Sequence, residues 1–566
     1  MTAGVRQEPR EATRPRTPRR TRLPALLALL VGCAGIGYRL ALLLADAPPS
    51  NSDEATMGLA ALHIARAEDF PVWFYGQAYM GTLEAYLAAP LVALAGPSVL
   101  TLRLPTLALY ALFLALSWRL TRRLGGDRWY ALLVVAVLAL GSDRVVKNQL
   151  IAGGGYPELN PAGAALALLT VGLCAGGPGA RLPLRAAASP KRGRLLRWAG
   201  WGFVSGLLLW VDPLILPFVL VLGAVLVGWR RRELAGRAGA ALAGGLLLGA
   251  APMLLDSLRH GRDPLAAVLA ASGADEVASW GERLYGGLVL GPPLAMGFCS
   301  PGHCTGWQLW WAPTFLVLLL LAAVAAGRTL RRPVPPVPPA VAADRRVSAA
   351  VRLALLAGAA AVLAAYAASN AAGRTPSESA RYLSVLAVAT PALLWPLWQA
   401  ARRLAPRQPG ERESINPGSG GRTWTRVAGV AAVAVLAGML GTGAVATAGA
   451  VGTVPATHAE ADRHRVLVDA LGDLSLRHVR AGYWTCNRLA FASGEEVRCA
   501  VVDDELRPGF DRLPEYRRAV DADPGAAWVA PAGSPLAARL DERLGPGPGA
   551  LRVIDVTGWR IYLPRR

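Results

Sequence analysis

Asn51-Ser52-Asp53-Glu54-Ala55 is a short polar stretch just past the first long apolar run of a 566-residue chain. Charge is costly near hydrocarbon, so two adjacent carboxylates at the mouth of a run long enough to cross a membrane need a physical reason. One reason is local: Ser52 as a helix N-cap, with Asp53 and Glu54 in the first turn, where the helix dipole favours negative charge. The other is chemical: Asp53 as a general base held at the outer face of a membrane. The surrounding chain has to choose between them.

Hydrophobic residues make up 53% of the chain and charged ones 17%, with a mean hydropathy of +0.36. Several apolar runs reach the ~18–20 residues that a helix needs to cross a bilayer. The fold class expected is therefore a polytopic α-helical membrane protein. A net charge of +21 suggests nucleic acid at first sight. The arginines, however, fall in short segments between apolar runs, as the positive-inside rule requires of cytoplasmic loops. No zinc-finger spacing, RNP-like motif or basic–aromatic groove is present, so nucleic acid is set aside as a partner.

Residues 1–22, rich in Arg and Pro, read as a disordered basic cytoplasmic tail, and Leu23–Ala45 as a retained anchor with its N-terminus inside. Ala55–Glu68 is expected to be helical, and Thr82–Gly96 to be a shorter interfacial or re-entrant helix. Crossings follow at Val99–Leu120, Trp129–Gly141 and Asn160–Gly176, with Ser142–Glu158 as an outer loop. Basic segments on both sides of Trp198–Trp229 force an even number of crossings, so this region reads as a tight hairpin with Asp212 near its turn. Gly239–Leu258, Trp307–Ala326, Val347–Ala368, Tyr382–Ala400 and Val427–Ala450 bring the expected total to about eleven spans. The membrane part covers 23–453.

The remainder, 454–566, is richer in charge and alternates short helical and extended segments. Ala461–Leu474 and Pro514–Val520 read as helices, and Val497–Val502, Ala527–Ala530 and Leu551–Val556 as strands. That alternation predicts a small α/β domain with a largely parallel sheet, placed outside the cytoplasm by the span count. Cys299 with Cys304, and Cys486 with Cys499, fall on this oxidising side in two pairs, as structural disulfides would; four unpaired thiols is the alternative. Cys33 and Cys174 lie within spans.

Asp53, Glu54, Gln77, Glu84, Glu158 and the segment Arg374–Tyr382 all map to the outer interface. Nucleotide-activated donors are absent there, so an activated group has to arrive on a lipid. A sugar on polyprenyl phosphate fits, because the phosphate is a competent leaving group that needs only its charge held, and arginine does this well. The acceptor hydroxyl must lose a proton, for which one carboxylate suffices, and single-base displacement inverts the anomeric centre.

The acidic pair after the first span, together with Tyr75-Gly76-Gln77-Ala78-Tyr79-Met80-Gly81-Thr82-Leu83-Glu84-Ala85-Tyr86-Leu87, Arg103-Leu104-Pro105, Gly155-Tyr156-Pro157-Glu158 and Ala380-Arg381-Tyr382-Leu383, resembles the GT-C superfamily of membrane glycosyltransferases. The likeness is to the branch of protein O-mannosyltransferases and lipid A aminoarabinose transferases, and Tyr483-Trp484-Thr485 and Leu489–Glu495 resemble uncharacterised bacterial members. The resemblance implies a bacterial plasma-membrane enzyme that moves a hexosyl or pentosyl group from a polyprenyl-phosphate donor to a protein, lipid or glycan acceptor. It makes Asp53 the base, with Glu54 and Glu158 as acidic partners and Gln77, Tyr79, Glu84, Arg374, Arg381 and Tyr382 as substrate-binding residues. Glu84 falls where better-known members carry a Lys-Pro-Pro-Leu motif. With no lysine there, Arg381 and Arg374 are the expected replacements for its phosphate contact.

Each residue has a plainer reading. Glu84 could pair with Arg103, and Gly153–Gly155 could be a turn rather than a phosphate nest. Arg381 could be a snorkelling anchor beside an aromatic-belt Tyr382. A divalent cation between Asp53 and Glu158 is conceivable but not demanded by spacing, and His63 and His303 are too isolated to be assigned as ligands. A lipid-linked oligosaccharide transporter or flippase is the rival class. It is disfavoured by the lack of an internal repeat and by the placement of Asp212 and Asp256 near span ends.

Overall fold

The computed structural model describes residues 22–175, 190–263, 266, 277–331, 338–404, 419–544 and 550–564. The basic tail, apart from Arg22, lies outside the described residues, as do the first part of the basic linker before Trp198, most of the Pro333–Pro339 segment and the core of the 401–426 linker.

The membrane part opens with α1 (Leu23–Leu44), α2 (Ser52–Ala65), α3 (Leu83–Ala95), α4 (Val99–Arg123), α5 (Arg128–Ala139), α6 (Asp143–Leu150) and α7 (Tyr156–Cys174). It continues with α8 (Pro190–Val211), α9 (Leu216–Leu234), α10 (Arg237–Gly249), α11 (Ala251–His260), α12 (Trp311–Arg331) and α13 (Pro339–Ala368). A 3-10 stretch, Ala380–Ala389, leads to α14 (Trp395–Arg402), and α15 (Ser419–Gly452) closes the bundle. Among the described residues seven helices are long and apolar enough to cross a membrane, and two bent pairs raise that to nine. α7 and α8, whose first turns are polar or basic, occupy the two remaining expected crossings. Leu26, Leu29 and Leu30 on α1 and Leu320 and Leu321 on α12 are exposed, as suits side chains that meet lipid.

Ser142–Glu158 is not a simple loop. It contains α6, bent 93° from α5. The bend leaves the Ala139 carbonyl, near the end of α5, without a helical partner. Fully buried Arg39 of α1 fills that need, donating from Nη1 to Ala139 O at 2.9 Å and from Nε to Gln149 Oε1 at 2.7 Å. Ser369–Arg381 carries two short helices, Asn370–Arg374 and Pro376–Ser379. The hairpin turn within Trp198–Trp229 is present, and Asp212 caps it by accepting from Leu214 N at 2.8 Å.

The C-terminal region runs α16 (Val454–Asp473), β1 (His478–Ala481), α17 (Tyr483–Ala492), β2 (Arg498–Val501), α18 (Pro514–Asp521), β3 (Ala527–Pro531), α19 (Pro535–Asp541), β4 (Leu551–Val556) and β5 (Trp559–Pro564). Its five strands are ordered β2-β1-β3-β5-β4. β1 pairs in parallel with β2 and β3, whereas β5 runs antiparallel to both β3 and β4. The sheet is therefore mixed rather than largely parallel, because the turn at Gly558 (φ 76°) closes a terminal hairpin. Cys486 on α17 is bonded to Cys499 on β2, and Cys299 to Cys304.

This region is docked on α2. Met57, Leu59, Phe74, Phe491 and Tyr516 share one small core. Gly58 lets the two surfaces meet, since a Cβ there would lie 2.6 Å from the Phe491 ring. Asn487 Nδ2 donates to Thr56 Oγ1 at 2.8 Å, and Ser52 Oγ donates to the Tyr483 carbonyl at 2.5 Å.

Candidate active site

The first turn of α2 is set by its cap. Asn51, not Ser52, is the N-cap; its Oδ1 accepts from Glu54 N at 2.9 Å. Ser52 is the first helical residue and its hydroxyl is spent on Tyr483. Asp53 and Glu54 then follow one another on a helix with 3.6 residues per turn, so they leave it in different directions.

Glu54 turns into the bundle. Its side chain is fully buried and accepts both Nε and Nη2 of Arg103, each at 2.6 Å, while Arg103 Nη1 donates to Pro48 O at 2.7 Å. Expected as a catalytic partner, Glu54 is instead committed to a bidentate ion pair that ties α2 to α4. This also corrects the alternative pairing of Glu84 with Arg103.

Asp53 turns the other way, and its side chain keeps 28% of its exposure. Oδ1 accepts the Tyr483 hydroxyl at 2.6 Å and Arg512 Nη2 at 3.2 Å. Among the described residues no side chain or backbone group hydrogen-bonds Oδ2. Arg512 also donates from Nε to the Tyr483 hydroxyl at 2.9 Å and from Nη1 to Tyr75 O at 3.2 Å. With its amide oxygen turned toward Arg512, Gln77 accepts from Nη1 at 2.9 Å. Burial, and next the hydrogen bond to Asp53, push the Tyr483 phenol up to about 12, so it stays a donor.

Tyr79, Arg381 and Tyr382 belong to the same neighbourhood. Tyr79 interacts electrostatically with Tyr382, Arg512, Arg381 and Asp53, and Arg381 with Tyr156, Tyr382 and Asp53. The Arg381 guanidinium sits 5.5 Å from the Tyr382 ring centroid, and among the described residues its buried Nε has no hydrogen-bond partner. Two further cations sit beside it. Arg144 of α6 donates to Ser377 O and has an unpartnered buried Nε, and Lys147, one helical turn on, lies within the field of Arg144 and Arg381. Arg374 is carried elsewhere: its Nη2 donates to Val277 O at 3.4 Å and its acidic neighbour is Glu282.

Glu84 and Glu158 form a separate, buried acidic pocket. Glu84 Oε1 accepts from Gly155 N at 3.1 Å, so the glycine turn cradles a carboxylate of this chain. Among the described residues, Glu84 Oε2 and both Glu158 oxygens have no hydrogen-bond partner. Burial above all pushes Glu84 up to about 7, against the pull of the Gly155 N–H. Glu84 and Asp212 are neighbouring carboxylates whose charges act on Glu158. The glycine turn borders both acidic groups: Gly155 N donates to Glu84, and a Cβ on Gly153 would lie 3.5 Å from the Asp53 carbonyl carbon. Among the described residues, the ligand atoms that converge within 4.8 Å belong to His63, Glu68 and Glu495. His63 is not isolated: its Nε2 meets Glu495 Oε1 at 3.0 Å and its Nδ1 meets the Tyr75 hydroxyl at 2.7 Å.

Sequence reasoning missed Arg512, Arg144 and Lys147, and met Tyr483 only within a resemblance. Arg144 and Lys147 carried one usable signal: spaced i, i+3 in Asp143-Arg144-Val145-Val146-Lys147, they share a face if that segment is helical.

No family model matches the chain, and no curated protein does. Solved structures do. The lipid A aminoarabinose transferase ArnT from Cupriavidus metallidurans aligns over 96% of this chain and 97% of its own, at 15% identity and TM-score 0.54 in its apo state. Bound to undecaprenyl phosphate, it aligns over the same shares at 16% identity and TM-score 0.52. The Archaeoglobus fulgidus oligosaccharyltransferase tethered to an acceptor peptide aligns over 90% of this chain and 69% of its own, at 12% identity and TM-score 0.51. At such identities the likeness is one of architecture: the chain has the fold shared by these GT-C membrane glycosyltransferases, bundle and C-terminal region together.

Proposed function

We propose that this protein is a membrane glycosyltransferase that moves a hexosyl or pentosyl group from a polyprenyl-phosphate donor to an acceptor hydroxyl, with Asp53 as base. The observation that carries the reading is the division of Asp53: Oδ1 is tied down, Oδ2 is open, Arg381 acts electrostatically on Asp53, and Arg381 and its neighbour Arg144 each keep an unsatisfied Nε–H among the described residues. The ArnT structure that holds undecaprenyl phosphate supports a lipid phosphate as the donor's handle.

In this reading Arg381 and Arg144 hold the donor phosphate by charge-assisted hydrogen bonds, with Lys147 adding to the field. The acceptor oxygen attacks the anomeric carbon and its proton passes to Asp53 Oδ2. The bond from that carbon to the phosphate oxygen breaks, and the electron pair leaves on polyprenyl phosphate. With Glu54 spent on Arg103, one carboxylate serves the site, and a single displacement inverts the centre. We place this end of the bundle outside the cytoplasm of a bacterial plasma membrane, since Arg119, Arg122, Arg123 and Arg230–Arg232 lie at the other ends of their helices. The acceptor is a protein, lipid or glycan hydroxyl, and the domain boundary falls near residue 454.

Asp53→Asn tests the reading. Asn51 is the cap, so folding and membrane insertion should be unchanged, while transfer falls by roughly 10²–10⁴-fold. Wild-type levels of surface glycan, read by mass spectrometry from cells that carry only this variant, would remove Asp53 as the base.

A further inference from the structure

The groups that fix Asp53 come from more than 400 residues away, in the C-terminal domain. We propose that the Tyr483 hydroxyl and the Arg512 guanidinium are positioning groups for the base: they pin Oδ1 and leave Oδ2 as the oxygen that takes the acceptor's proton. The inference rests on the transferase reading above and adds a role for the C-terminal domain in the chemistry itself.

An aspartate in the first turn of a helix, one quarter exposed, can turn about both of its side-chain torsions unless something holds it. Here two donors converge on one oxygen, and each is itself held. Tyr483 is the first residue of α17; its carbonyl is anchored by Ser52, and its ring packs edge-on against Trp484 at 5.1 Å. α17 is fastened in turn by the Cys486–Cys499 bridge and by Asn487 on Thr56. Arg512 is only 8% exposed, lies 4.7 Å over the Phe74 ring, and spends its other N–H groups on Tyr75 O, Gln77 and the Tyr483 hydroxyl. Arg512 is thus braced by both the domain and the 70–80 loop, and Tyr483 by α2 and by its own helix. A docking contact alone would not need to end on the carboxylate, since Phe491, Asn487 and Glu495 already join the same surfaces.

A base constrained in this way is worth most in the transition state, where the proton must leave along a defined line. Loss of the constraint should lower kcat and leave donor binding alone, because neither group is among those assigned to the phosphate.

The test uses full-length protein in nanodiscs, a radiolabelled polyprenyl-phosphate-sugar fraction extracted from the source cell envelope as donor, and envelope material as acceptor. Tyr483→Phe keeps the ring and the Ser52 contact and removes only the hydroxyl. It should cut kcat by roughly tenfold or more, with donor KM within about twofold. Arg512→Gln should act likewise, and Arg512→Lys should restore part of the loss by again placing a cation on Oδ1. Arg66→Gln, which weakens docking at the Arg66–Glu495 pair away from Asp53, should leave kcat per folded molecule unchanged. If Tyr483→Phe and Arg512→Gln keep full kcat while Asp53→Asn is inactive, positioning is overturned and the base assignment stands. If Arg66→Gln loses as much kcat as Tyr483→Phe, docking alone explains the effect and the proposal also fails. An active Asp53→Asn would instead sink the transferase reading on which it rests.

Discussion

Helix α2 meets two different surroundings on two faces. Toward the bundle, Glu54 and Arg103 are both wholly buried, and each carboxylate oxygen already has a guanidinium N–H. Toward the C-terminal domain, Asp53 shares one oxygen between Tyr483 and Arg512 and leaves the other open. Neighbouring acidic residues with the same chemistry thus do opposite work. A carboxylate with both oxygens held by one guanidinium in a dry site is kept ionised and committed to that partner, whereas one held at a single oxygen has the other to accept a proton.

The largest expected effect comes from breaking the dry face. Removal of one partner of a buried pair leaves an uncompensated charge, at a cost of about 3–5 kcal/mol. Arg103→Ala should therefore reduce folded, monodisperse protein sharply, read as yield and thermal stability in detergent. The double change Glu54→Leu with Arg103→Met should recover much of that loss, since well-packed apolar side chains often replace a buried pair at little or no cost. A double variant no better than Arg103→Ala would mean that the pair does more than hold α2 on α4.

A middle-sized effect should come from closing the gap between α2 and α17. Gly58→Val puts a branched side chain where even a Cβ falls 2.6 Å from Phe491, so the two surfaces must part. Overpacking of this kind costs roughly 1–3 kcal/mol. The Asp53 contacts should loosen with it, read as faster hydrogen exchange at the start of α17 and slower transfer, while the Glu54–Arg103 face keeps its protection.

The contrast also explains what could be read without a structure. The spans were legible because hydropathy and basic-loop bias are local, and the acidic turn after α1 was legible because charge is conspicuous beside hydrocarbon. Which of Asp53 and Glu54 was free was not. The answer depends on Arg103, about 50 positions on, and on Arg512, 459 positions away from Asp53. α6 was hidden for another reason: it is eight residues long and bent sharply from α5, so its polar face read as a loop and its two cations went unnoticed. The sheet's second half escaped because strand alternation does not reveal the direction of pairing.

The smallest expected effect concerns the second junction on the domain side of α2, where Glu495 accepts from His63, from Arg66 Nη1 at 2.7 Å and from the Tyr516 hydroxyl. Burial disfavours a charged His63, but the hydrogen bond to Glu495 together with the charges of Glu495, Glu68 and Asp69 outweighs it and holds the imidazole above its usual value. Burial likewise opposes ionised Glu495, and the His63 and Tyr516 hydrogen bonds outweigh that too, holding it below the ordinary glutamate range. The signs then follow from linkage. The His63 contribution is complete below its unfolded value of about 6.5 and fades as pH rises through the raised folded value. The Glu495 contribution is complete above about 4.5 and fades as pH falls through the lowered one. Docking should therefore be firmest between those limits and weaken gently on either side, with a melting shift on the order of 1–2 °C across the alkaline edge. His63→Gln, which keeps a donor for Glu495 and loses the titration, should flatten that edge and leave the acidic one in place. An alkaline edge that survives His63→Gln would move the pH sensitivity to another group, and with it any claim that the domain is held on α2 by two separable contacts.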